Sequence, residues 1–438
     1  MSAVRLWWSL ARHTHAETRL PTVLAVTAFG VTTWAVLTVA GGVQAFQARA
    51  EVPGADPTYP FLSWVAVALL VVPTATLGAA AARLTIARRD ERLSRLRLAG
   101  ATSAQTTLVA LLDAGAQALS GAVAGVALAL ATLPAAAQLR FQGRTFDVAE
   151  LRLGVVPVLA TVAAVLAVAL LSCLVSLRRV VVTPLGVAQR VPQKGLSWVR
   201  VLPVLALGAG FVAAFNASSV LFGLGAAVGV LVLVGLLAGA FALFNLVGPL
   251  FVSLLGRVLA ARARSVETLL AARRMAEDPK SVWRSVGGIS LVTFVAGCLS
   301  VVPGLTQGED AADRLAVDIG TGAAVTLVIS AVLAAVSTGV TQASRVLDSR
   351  SRYRMLHLAG TDLGVLHSAR ARETWIPLVV TMGGAAALSL LVVSPVLGLL
   401  QAAPVGVLWF LGCAVVGAVL VLLAARASRP LVASCASR

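Results

Sequence analysis

Ten long apolar runs, separated by short polar connections, set the pattern of this chain. A membrane-crossing helix needs about 20 predominantly apolar residues. Runs of that kind lie at Leu20–Val43, Phe61–Ala82, Leu108–Leu133, Leu153–Leu177, Val201–Phe222, Gly225–Leu255, Ser285–Leu305, Thr321–Ala343, Trp375–Leu397 and Val405–Ala425. The stretch from Val201 to Leu255 carries no charge and is too long for one crossing, so it divides into two with a tight turn near Asn216. The runs are continuous instead of alternating, which argues against a membrane β-barrel. The pattern predicts an all-α polytopic membrane protein with ten transmembrane helices.

Composition sharpens this picture. With 59% hydrophobic and 12% charged residues, the chain has too little polar surface for a soluble domain. A formal charge of +17 would suggest nucleic acid in a soluble protein. Here the arginines sit between the apolar runs, so they report topology. If the N-terminus is inside, all but five of the 35 basic residues are cytoplasmic. The five exceptions, Arg49, Arg140, Arg144, Arg152 and Arg314, share the outside loops with Glu51, Asp56, Asp147, Glu150, Glu309, Asp310, Asp313 and Asp318. Miscounting one span would invert every later loop and erase that asymmetry, so both termini are expected in the cytoplasm. Arginine outnumbers lysine, which occurs only at Lys194 and Lys280, and Ala, Val and Gly abound; this suggests a GC-rich bacterial genome and hence the bacterial plasma membrane. The outside connections are long enough only for turns or short helices. Residues 1–19 read as an interfacial helix with Trp7 and Trp8 at headgroup depth.

One segment occurs twice. Arg92–Asp113, RLSRLRLAGATSAQTTLVALLD, matches Arg352–Glu373, RYRMLHLAGTDLGVLHSARARE, without a gap. Arg92, Leu96, Leu98, Ala99 and Gly100 fall on Arg352, Leu356, Leu358, Ala359 and Gly360, and each copy closes on an acid, Asp113 or Glu373. The same register aligns Leu10, Ala11, Ala16 and Glu17 with Leu270, Ala271, Ala276 and Glu277. The chain therefore reads as a parallel duplication: a first module at 20–177, a linker and two-helix insert at 178–255, a second module at 256–425, and a cytoplasmic tail at 426–438. Both copies of the polar segment face the cytoplasm. Gly100 and Gly360 suit a turn, and a short helix is expected over Ser103–Leu108 and over Leu363–Ser368, projecting toward a partner.

Chemistry of the chain's own is hard to find. The spans contain no Lys, Arg or His, and the nearest acids, Asp113 and Glu373, lie about a turn from the cytoplasmic boundary. Ion-coupled carriers usually hold an ionisable group near the midplane. Neither lysine sits in a phosphate-binding glycine loop, and His13, His15, His357 and His367 read as loop histidines. Cys173, Cys298 and Cys413 read as packed thiols. Asn245 and Gln342 read as interhelical hydrogen bonders. These features argue against an enzyme and against a self-powered carrier.

The stretch RRDERLSRLRLAGATSAQTTLVALLDAGAQALSGAVAGVALA resembles the signature of FtsX/MacB-type ABC transporter permeases. Ala99-Gly100-Ala101-Thr102 stands at the family's turn, Asp113 at its acid, and Gly115, Gly121 and Gly125 in its glycine-rich third helix. The second copy, Ala359-Gly360-Thr361-Asp362, then Glu373, then Gly383-Gly384, is looser. LLAARRMAEDPKSVWRSVGGISLV also looks like the segment that opens a second module in fused ten-helix members. The resemblance implies two FtsX-like four-helix modules plus a two-helix insert, working as a permease on two copies of a separate P-loop ABC ATPase. ATP and Mg would belong to that partner, with no cofactor in this chain. The ATPase-coupling residues would be Leu98, Ala99, Gly100, Ala101, Thr102, Ser103, Gln105, Leu358, Ala359, Gly360, Thr361, Asp362, Leu363 and His367, with Asp113 and Glu373 as the coupling-helix acids. The chain departs from the family in lacking a large extracellular domain: the connections at 44–60 and 306–320 are short. That favours a hydrophobic or amphiphilic load, an antimicrobial or a lipid, taken from the bilayer, with mechanical transmission as the other use of such a device. A different class, an ATPase-free scaffold or sensor bundle, is the competing expectation. No nucleic-acid partner is implied.

Overall fold

Apolar runs fold as helices in lipid because a helix satisfies every backbone donor and acceptor internally. The computed structural model describes residues 16–52, 58–87, 102–182, 247–280, 311–348 and 363–397, with scattered single positions at 202–213, 282–297 and 419. Helix accounts for 91% of the described residues, which places the chain in the all-α class. Its elements are α1 (Ala16–Ala50), α2 (Thr58–Ala87), α3 (Ser103–Ala137), β1 (Arg140–Phe141), β2 (Arg144–Thr145), α4 (Val148–Leu151), α5 (Val155–Val182), α6 (Val247–Ala261), α7 (Val266–Glu277), α8 (Ala311–Asp348) and α9 (Leu363–Leu397).

Among the described residues, five helices, α1, α2, α3, α5 and α8, are long and apolar enough to cross a membrane. They contain the expected spans Leu20–Val43, Phe61–Ala82, Leu108–Leu133 and Thr321–Ala343 in full, and Leu153–Leu177 from Val155 onward. Trp375–Leu397 lies within the 35-residue α9. The expected spans Val201–Phe222, Ser285–Leu305 and Val405–Ala425 fall wholly or largely outside the described residues, as does Asn245. So does most of Gly225–Leu255, whose described end belongs to α6 and continues to Ala261. The outward character is lipid-like: on α5, Val155, Val156, Leu159 and Leu171 are each at least 60% exposed. Apolar residues presented that openly along a helix are compatible with a membrane-spanning position.

The chain divides into two compact units. In the first, α1 crosses α3 at glycines. A methyl group on Gly121 would stand 2.6 Å from Phe29 Cβ, and one on Gly125 would strike the Gly30 carbonyl. Gly121 and Gly125 form a GxxxG pair, the spacing that brings two helix backbones together in lipid. Gly115 has only ordinary contacts, with Leu170 and Leu166 of α5. The same α1–α3 pair is tied by Trp34, whose Nε1–H donates to Thr132 Oγ1 at 3.0 Å. Threonines of α1 cost little in this setting, because Thr27, Thr32, Thr33 and Thr38 each donate to the carbonyl four residues earlier. Along α5, α3 packs Ala110 and Ala114 against Cys173, a buried thiol that is in no disulfide.

The second unit includes the end of α1, the start of α2, the β-hairpin and the chain from Leu196 onward. Its hairpin turns on Gln142 and Gly143, at φ 57° and 76°, the left-handed pair that matches strand twist in a two-residue turn. Phe141 meets Phe46 edge-on, and Phe46 stacks on Tyr59. Arg49, 5% exposed, donates to the Phe141 and Thr145 carbonyls. Asp318 of α8 accepts from Tyr59 Oη and from the Gln142 amide, both at 2.7 Å. The connection after α3 is thus a hairpin followed by the short helix α4, slightly more structure than the turn or short helix expected there.

Candidate functional site

The two matched segments lead into the two matched helices. In the shared register, every residue of α9 falls on a helical residue of α3. Residues Leu98–Ala101 and Leu358–Asp362 lie outside the described residues. From Thr102 onward the first copy is clear. Thr102 is the N-cap of α3: its Oγ1 accepts from the Gln105 amide at 3.3 Å, and Gln105 Oε1 accepts from the Thr102 amide at 3.0 Å. This reciprocal capping box satisfies donors that a helix start otherwise leaves open. Thr106, buried, donates to the Thr102 carbonyl and tightens the same turn.

Here the structure differs from the sequence expectation. Ser103–Leu108 is not a separate short helix but the first turns of the 35-residue α3, and Leu363 and His367 begin the equally long α9. The reason is local. Between Thr102 and Asp113 no proline or glycine interrupts the backbone, so a well-capped helix runs straight into the apolar span.

The two closing acids have different surroundings. Asp113 is half-buried, and Gln117, one turn along α3, donates Nε2 to it at 3.4 Å. Glu373 is 5% exposed and pairs with Arg274 of α7, Nη1 to Oε2, at 3.3 Å. Its neighbour Arg372 also reaches α7, at the other end. There it donates to Ser265 Oγ and Thr268 Oγ1 at 2.5 and 2.6 Å and pairs with Glu267 at 3.0 Å. Ser265 is itself the N-cap of α7, its Oγ accepting from the Thr268 amide.

Behind this polar side, α7 is packed tightly. Ala271, Ala272 and Met275 are fully buried, and Met275 clusters with Val252, Val282 and Trp283, with Leu255 and Ile376 against them. A methyl group on Gly256 of α6 would stand 2.8 Å from the Ala276 amide nitrogen and 2.9 Å from the Ala272 carbonyl. Deeper along α9, Thr374 accepts from Gln342 Nε2 of α8 at 3.3 Å, the interhelical role expected for that glutamine, and Thr381 accepts from Ser290 at 2.7 Å.

Sequence reading identified Glu373 and the LLAARRMAE stretch separately. It missed that they meet, and it missed Arg372, Glu267, Ser265 and Thr268 altogether. The available signal was the spacing of Glu267 and Arg274, two turns apart on one amphipathic helix and therefore on one face. Among the described residues, no group of three or more His, Cys, Asp or Glu side chains is placed to hold a metal ion. Comparison with family models, curated proteins and solved structures gives no significant match. The structural class is therefore what the helices themselves carry: an all-α chain with multi-pass membrane character.

Proposed function

We propose that this chain is the permease subunit of an ABC transporter, similar to the FtsX/MacB type. Two separate P-loop ATPase subunits would drive export of a hydrophobic or amphiphilic compound through it, or send mechanical work across the bacterial plasma membrane. The observation that carries the reading is the duplicated Leu-x-Leu-Ala-Gly segment, followed in each copy by a long helix with an acid at the matched position. Two equivalent handles on one chain suit a dimeric motor. The contacts are assigned to Leu98–Thr107 and Leu358–His367. Ten spans in two modules with an insert, and both termini in the cytoplasm, belong to the same proposal and rest on the distribution of arginine.

The test is purification in detergent with the product of a neighbouring gene for a P-loop ATPase, followed by a screen for hydrophobic compounds that stimulate ATP turnover. Co-purification is expected, with loss of the complex on charge introduction at both handles, Thr102→Glu with Asp362→Arg. A protein that binds no ATPase and keeps its own fold would instead be a scaffold or sensor bundle.

A further inference from the structure

α7 is attached to α9 at two points. Arg372 holds the start of α7 through Ser265, Thr268 and Glu267, and Glu373 holds its far end through Arg274. Glu267 and Arg274 are two turns apart, about 10 Å along the axis at 1.5 Å per residue. One contact would be a pivot; two at that separation fix the orientation of α7 against α9. On its other side α7 touches α6 backbone to backbone at Gly256, where no side chain intervenes to absorb a displacement. Arg372 and Glu373 also stand about three turns from Leu363, where α9 begins.

We infer that α7 is a transmission arm: Arg372 and Glu373 are positioning residues that pass movement of the first turns of α9 through α7 into α6. The inference rests on the proposed function, because it takes the start of α9 as the place where the ATPase acts. In this scheme α7 itself needs no contact with the ATPase or the load. It turns a push at one helix end into a shift of a neighbouring helix that the ATPase does not reach.

The experiment uses the full chain in complex with its ATPase, reconstituted in vesicles of phosphatidylethanolamine and phosphatidylglycerol. Variants are Arg274→Glu, Glu373→Arg, the double exchange, and the milder Arg372→Gln. The readouts are ATPase co-purification, basal ATP turnover, stimulation by the best hydrophobic compound, and thermal unfolding. Arg274→Glu is expected to keep the ATPase bound and basal turnover intact while stimulation falls about tenfold, and Glu373→Arg to lower stimulation at least as far. The double exchange is expected to restore at least half of that stimulation. Restoration by the exchanged pair separates transmission from mere loss of a fold. Should the single reversals fail to fold, Arg372→Gln, on the more exposed attachment, decides by the same ratio of stimulated to basal turnover. Full stimulation in every folded variant overturns the inference and leaves the permease reading standing. A parent protein that binds no ATPase overturns both.

Discussion

Where α1 meets α3, glycines let two backbones touch; where α7 meets α9, arginines and acids reach across a gap that side chains fill. Both junctions join helices, but they respond differently to displacement. At the first, Gly30, Gly121 and Gly125 leave no side chain to rearrange, so any shift opens a void or drives atoms together. At the second, Arg274 and Arg372 hold α7 against α9 at two points through directed ion pairs and hydrogen bonds. The difference teaches that the chain joins its helices in two ways, by backbone fit in one place and by directed polar contacts in another. The glycine crossing depends on shape, and the arginine junction on charge and hydrogen bonding.

The strongest way to break this comparison is to fill the crossing. Gly125→Leu puts a branched side chain where the Gly30 carbonyl and Thr33 stand, and overpacking of that kind is expected to cost about 3 kcal/mol. Gly42→Leu is the control: on α1 as well, it meets nothing within 4 Å and is expected to unfold with the parent. Thermal unfolding in detergent reads both. Equal stability of the two variants would mean the α1–α3 crossing is not close-packed.

A smaller effect is expected at the other junction. Glu373→Ala leaves Arg274 without its carboxylate partner in a site where Glu373 itself is 5% exposed. A fully buried pair would cost more than an exposed one, and Arg274, at 21% side-chain exposure, lies between. The expected loss is about 2 kcal/mol, read as a lower unfolding temperature. Glu373→Gln keeps an oxygen acceptor for Arg274 and should recover part of it. If Glu373→Ala unfolds with the parent, the Glu373–Arg274 pair adds nothing measurable and the α7–α9 junction is held by the Arg372 contacts and the Met275–Ile376 packing.

How far the sequence announces these features depends on the range over which each is set. Helices α1, α2, α3, α5 and α8 are legible as apolar runs because lipid demands an internally bonded backbone and a minimum length. Gly121 and Gly125 are legible too, since GxxxG is a local spacing with a direct consequence. The start of α3 is half legible: Thr102 and Gln105 spell a capping box, but the helix they begin was expected to stop at Leu108. Nothing at Leu108 breaks it, so the polar turns and the apolar span share one axis. The meeting of Glu373 with Arg274 is set by tertiary packing across about a hundred residues; the Glu267–Arg274 spacing marks a charged face on α7 but not the partner that it meets. The hairpin at Gln142-Gly143 was equally hidden, because glutamine in a left-handed position is not a turn signature that composition reveals.

The smallest effect tests the matched acids directly. Asp113 and Glu373 occupy equivalent positions of the repeat, so a role fixed by sequence position alone would make them equally sensitive. The contacts point elsewhere. One contact of Asp113 is to Gln117 on its own helix at 3.4 Å, and pairs one turn apart on a helix contribute about 0.2–0.5 kcal/mol. Asp113→Ala is expected to lower stability less than Glu373→Ala, the Gln117 contact accounting for about 0.2–0.5 kcal/mol of its loss. Both variants belong in one series of unfolding measurements, at low and at high salt. Glu373→Ala should stand apart from Asp113→Ala under both conditions, because a shielded ion pair is screened less than an exposed one. Equal losses would show that the acid acts through its place in the repeat. The attachment of α7 would then be incidental to it.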